Sequence, residues 1–154
     1  MKPRQPTGEQ GDALASTPLL HFSEKISEGT NFVNATVMKS WERYGIHIIE
    51  PVVSMFPNRG GLISVQKINL SVGVKIRVVK WENLQATFTT TGKIKSPISI
   101  NVMNVNNSKN LLFKDTFYAF RESLRNFIKV TGNKELNISK METLEIIEII
   151  EKGM

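Results

Sequence analysis

Cysteine is absent from this chain of 154 residues. That removes disulfides, thiolate zinc sites and cysteine nucleophiles in one stroke. Histidine is nearly as scarce. His21 and His47 are the two in the sequence, and neither stands in a His-x₃-His or HExxH spacing, so no metal site is expected. No apolar run approaches the roughly 18–20 residues that a membrane-spanning helix needs. The opening Met1-Lys2-Pro3-Arg4 has no apolar stretch of the kind a secretory signal carries. An intracellular protein, neither secreted nor transmembrane, is the expectation.

Catalytic signatures are missing as well. No GxSxG, Walker or GxGxxG pattern occurs, and Gly60-Gly61 lacks the Lys-Ser/Thr that completes a phosphate-gripping loop. Asp115 and Glu122, seven apart, read as the solvated flank of a helix. No catalytic residue and no cofactor is expected, and the chain reads as a non-enzyme.

What is present is positive charge, and it is concentrated. Residues 1–57 hold five Lys/Arg against six Asp/Glu, residues 58–133 twelve against three, and residues 134–154 three against five, giving −1, +9 and −2 for the net of +6. The charge belongs to the middle of the chain. A field of one sign on a folded surface concentrates phosphate-bearing partners, either an anionic lipid surface or nucleic acid.

Along the chain, residues 1–18 carry Pro3, Pro6, Pro18, Gly8 and Gly11 and read as a disordered arm, with residues 19–154 as one globular domain. Val33, Val37, Trp41 and Tyr44 fall on one helical stripe over 30–44, although β-branched Thr36 and Val37 keep a strand open. Ile46–Ile49 reads as a short strand stopped by Pro51. Residues 57–61 form a turn.

The clearest pattern follows. Ile68, Leu70, Val72, Val74, Ile76 and Val78 alternate with Lys67, Asn69, Ser71, Gly73, Lys75 and Arg77. A period of two over this length predicts one long strand with a buried apolar face and a wet basic face, broken at most by a bend at Gly73. Leu84, Ala86, Phe88 and Thr90 predict a second strand, and Ile98, Ile100 and Val102 a third, closed by an Asn104–Asn110 loop. Phe113, Phe117, Phe120, Leu124, Phe127 and Ile128 predict an amphipathic helix. Ser139 and Glu142 form a capping box opening a last helix with Met141, Leu144, Ile147 and Ile150 inward. The fold class expected is α+β: an antiparallel sheet of roughly four to five strands with helices packed on one face.

Lys67, Lys75 and Arg77 on the wet face, Lys80 and an out-of-phase Trp81, and Lys93 and Lys95 beyond form the candidate anionic-surface-binding residues. An exposed tryptophan beside lysines could stack on a base or enter a lipid interface.

The segment Phe117-Tyr118-Ala119-Phe120-Arg121-Glu122 is similar to the Phe-x-x-Phe-Arg-Glu helix of rhabdovirus matrix proteins. With its proline-bearing arm and basic α+β domain, the chain resembles the small matrix proteins of plant-infecting rhabdoviruses. It lacks their PPxY late-domain motif and dense N-terminal lysine cluster. The resemblance implies a viral structural protein that contacts membrane and nucleocapsid within the host cytoplasm or virion and self-associates as a homo-oligomer, with no small-molecule substrate. The alternative is a soluble nucleic-acid-binding viral accessory protein.

Overall fold

The computed structural model describes residues 30–113 and 139–154. The elements are β1 (Thr30–Val37), α1 (Trp41–Tyr44), α2 (Ile46–Met55), β2 (Leu62–Asn69), β3 (Lys75–Trp81), β4 (Gln85–Thr90), β5 (Ile98–Asn104), β6 (Ser108–Phe113) and α3 (Lys140–Gly153). The arm expected over 1–18 and the helix expected over Phe113–Ile128, including the segment shared with matrix proteins, lie outside the described residues.

The class is α+β, but the sheet is larger than expected and not purely antiparallel. Six strands run in the order β2-β3-β4-β1-β5-β6. β1 lies parallel to β4 and antiparallel to β5, and the remaining pairs are antiparallel. β1 lies at the centre between β4 and β5, and the chain leaves it through α1 and α2 to reach β2 at the sheet edge.

β1 corrects the helix expected over 30–44. Val33, Ala35 and Val37 are buried and Asn34 is exposed. A spacing of four residues is even, so Val33 and Val37 fit a period of two as well as a helical stripe. The bulk of Thr36 and Val37 favours the strand. Ile46–Ile49 is corrected the other way: it is the first half of α2, which contains Pro51. Proline removes one backbone donor and does not always end a helix.

The long alternating run is two strands. Gly73 takes φ +79°, a left-handed conformation glycine adopts without a Cβ clash. The Leu70 N–H donates to the Val74 carbonyl at 2.8 Å, closing a hairpin. On β3 the odd-numbered residues Arg77, Val79 and Trp81 are buried beneath the helices, while Ile68 is 46% and Val72 64% exposed. The expected loop at Asn104–Asn110 is likewise a tight turn into β6.

Helices cover one face. Ile48, Ile49, Val52, Val53 and Met55 of α2 and Ile146 and Ile149 of α3 join Val33, Val37, Val79, Phe88 and Ile100 in the core. Each such side chain contributes about 1.5–3 kcal/mol on full burial. The Ser139–Glu142 capping box is present, with the Glu142 N–H donating to Ser139 Oγ at 3.1 Å. The inward stripe of α3 is displaced, however. Met141, Leu144 and Ile147 are exposed, and Ile146, Ile149 and Gly153 face the sheet. Two apolar series overlap on this helix, and packing selected between them: a Cβ on Gly153 would lie 2.6 Å from Trp41 ring atoms, so the glycine lets the helix end rest on the indole.

Candidate active site

Strand register puts Lys67 directly opposite Arg77, with Lys75 two residues earlier on β3. The three do share a face, as alternation predicts, but it is the face the helices cover. Arg77 is 0% exposed. Its Nη1 donates to Asn69 Oδ1 at 3.0 Å and to the Ile76 carbonyl at 2.9 Å, its Nε donates to the Gly153 carbonyl, and its guanidinium lies 5.5 Å from the Trp41 ring. Lys75 is held by Glu42 at 2.6 Å. Lys67 is exposed, Lys80 is exposed on the opposite face, and Lys93 and Lys95 sit on the turn after β4. Trp81 is 1% exposed and donates its indole N–H to Glu145. The seven residues therefore form no single patch, and neither Arg77 nor Trp81 can reach a phosphate or a base.

A different group gathers at the junction of β1, α1 and α2. Lys39 leaves β1 with φ +69°, the one non-glycine residue of positive φ among the described residues. Its Nζ donates to Tyr44 Oη at 2.9 Å and stands 4.8 Å from that ring's centroid. One turn on, the His47 ring lies 5.8 Å from the Tyr44 ring at 58°. Glu50 follows on α2. Burial pushes its carboxyl above the ordinary range, and the charge of His47 offsets part of that. Gly45, whose αR backbone carries α1 into α2, keeps Tyr44, His47 and Glu50 at helical spacing, so all three fall near one face.

This constellation has the chemistry for proton transfer: an imidazole open to solvent, a phenol held by an ammonium, and a carboxyl whose burial favours its neutral form. It holds no metal site. Among the described residues no group of three or more His, Asp or Glu could ligate an ion. Sequence reading passed over His47 because its neighbours were assigned to a strand, where the spacing to Tyr44 and Glu50 means nothing.

Glu50 supplies a test by linkage. A carboxyl raised on folding stabilises below its unfolded value near pH 4.3 and loses that contribution as pH rises through its folded value. Glu50→Gln is therefore expected to gain stability at neutral pH and to lose the gain below about pH 4, read by urea denaturation at both pH values.

Comparison with solved structures identifies the fold. No family model matches the sequence, and no curated protein matches it significantly. The structure is similar to GenD2 from gentamicin A biosynthesis, solved in complex with NAD, at a TM-score of 0.68 and 8% identity, covering 93% of this chain and 59% of that one. It is similar to an oxidoreductase of Thermotoga maritima at 0.62 and 12%, covering 92% and 56%. A dehydrogenase, MviM, of Clostridium difficile matches at 0.52 and 11%, covering 89% and 59%. The chain thus spans less than two thirds of the length of these structures. Among the described residues no helix is long and apolar enough to cross a membrane. A fold shared with oxidoreductases overturns the expectation of a non-enzymatic matrix-type protein, and with it the anionic lipid, nucleic-acid and no-small-molecule partner assignments.

Proposed function

We propose that this chain is the substrate-side portion of an oxidoreductase acting on a small alcohol or carbonyl compound, with His47 moving the proton at the substrate oxygen. The oxidoreductase fold supports the reaction class. The observation that carries the residue assignment is the Lys39–Tyr44–His47–Glu50 cluster at the α1–α2 junction. Interconversion of an alcohol and a carbonyl requires a proton to leave or join that oxygen, and a positioned imidazole is the side chain best matched to the task near neutral pH.

NAD accompanies GenD2, yet the described residues of this chain do not fit a dinucleotide. No Gly-x-Gly occurs anywhere in the sequence. The turn leaving β1 is Met38-Lys39-Ser40, and the described sheet has one parallel pair. A pyrophosphate cradle needs a glycine-rich turn from a parallel strand into a helix N-terminus.

The full chain, with His21→Gln leaving His47 as the one imidazole, tests the reading by NMR. Glycerol and dihydroxyacetone, the alcohol and ketone of one carbon skeleton, are expected to shift the His47 ring resonances saturably, while NADH is not. A His47 signal unmoved by both three-carbon probes would remove the assignment.

A further inference from the structure

Resting on that reading, we propose that Tyr44 is a second substrate-binding group, whose hydroxyl proton is aimed at the substrate oxygen by Lys39 acting as a positioning residue. The direction follows from donor chemistry. An ammonium has three N–H donors and no acceptor, so in the 2.9 Å contact Tyr44 Oη must accept. The phenol's single proton then points away from Lys39. Among the described residues Tyr44 Oη makes no hydrogen bond to a protein acceptor. The proton is left for an oxygen acceptor, beside the His47 ring.

Backbone geometry explains how Lys39 is held. A lysine at φ +69° is in the left-handed region, which strains any residue with a Cβ. The strain persists because the surroundings over-determine it. Lys39 N donates to the Gly92 carbonyl at 2.9 Å and Gly92 N donates back at 3.1 Å. Gly92 itself has φ +61°, and a Cβ there would lie 2.9 Å from the Gly73 carbonyl oxygen. Three segments therefore lock Lys39 in place: the end of β1, the turn after β4 and the β2–β3 hairpin. Glycine would occupy position 39 with less strain but could not supply the ammonium. Strain retained where a charged side chain reaches a phenol is the pattern of a functional site.

The test uses the full chain with Tyr118→Phe, which leaves Tyr44 as the one tyrosine of the two in the sequence, labelled with ¹³C at Cζ. Lys39→Met is expected to move the Cζ resonance and Lys39→Arg to keep it near the wild-type position. Tyr44→Phe and Lys39→Met are each expected to weaken dihydroxyacetone binding about tenfold, the effect of one hydrogen bond, with Lys39→Arg restoring most of it. Lys39→Gly is expected to raise the melting temperature while losing the same affinity, a pair of opposite movements that a purely structural lysine would not give. An unmoved Cζ in Lys39→Met, or a moved Cζ with unchanged affinity, overturns the proposal. Failure of the wild-type chain to bind dihydroxyacetone at His47 removes the underlying reading and this assignment with it. The Cζ shift, which needs no ligand, tells that case from a missing Lys39–Tyr44 bond.

Discussion

Arg77→Ala is expected to destabilise the protein by about 3–5 kcal/mol in urea denaturation, through the cavity it opens and the buried hydrogen bonds it removes. The guanidinium lies under α3, where it donates to the Gly153 carbonyl at the negative end of the helix and to Asn69 and two strand carbonyls. Burial lowers its affinity for a proton, and Glu42 opposes that. Truncation would empty the space beside Trp41 and remove one donor from each of those acceptors. Arg77→Met, which keeps the volume without the charge, is expected to lose less, because a buried charge often does no better than an apolar side chain of its size. A loss under about 1 kcal/mol for Arg77→Ala would instead place the guanidinium in water and restore a wet basic strand.

Glu145→Ala is expected to cost a similar amount, about 3–5 kcal/mol at neutral pH. Glu145 Oε2 takes Arg59 Nη2 at 2.6 Å and Oε1 takes Arg59 Nε at 3.0 Å, a two-point pairing, and Oε1 also accepts from Trp81. Arg59 is 7% exposed, so losing the carboxylate strands a buried cation, although carbonyls of Val53 and Phe56 also accept from it. Burial works against the charge of Glu145, but the hydrogen bonds from Arg59 and Trp81 outweigh it and hold the carboxyl below the ordinary range. A carboxyl depressed on folding stabilises fully above its unfolded value, near pH 4.3, and loses that contribution as pH falls through its folded value. Wild type and Glu145→Ala should therefore converge in stability on acidification. Parallel curves from pH 7 down to about 3 would show that the pair carries no linkage.

Both residues mark where reading the sequence reached its limit. Leu84, Ala86, Phe88 and Thr90, and Ile98, Ile100 and Val102, were legible as strands, because each run alternates without competition from another period. The Ser139–Glu142 cap was legible for the same local reason. The hairpin at Gly73 was not. A turn of odd length, here residues 71–73 between Leu70 and Val74, keeps paired positions at the same parity, so the alternation runs through it and two antiparallel strands resemble one long strand. Polarity then assigned the wrong face, since an arginine at an odd position looks wet until a helix terminus and a tryptophan are placed over it. His47, Tyr44 and Lys39 were invisible as a group because Ile46–Ile49 passes for a strand before Pro51.

The sequence by itself determined an α+β domain without thiol chemistry, the strands of simple alternation and the start of the last helix, since these rest on residues a few positions apart. Tertiary structure alone decided that β1 lies at the sheet centre parallel to β4, that Arg77 and Trp81 are inside, and that Lys39 is pinned to Gly92 where its side chain meets Tyr44. Each depends on contacts between segments distant in sequence, where burial and hydrogen bonding outweigh the polarity of any one side chain.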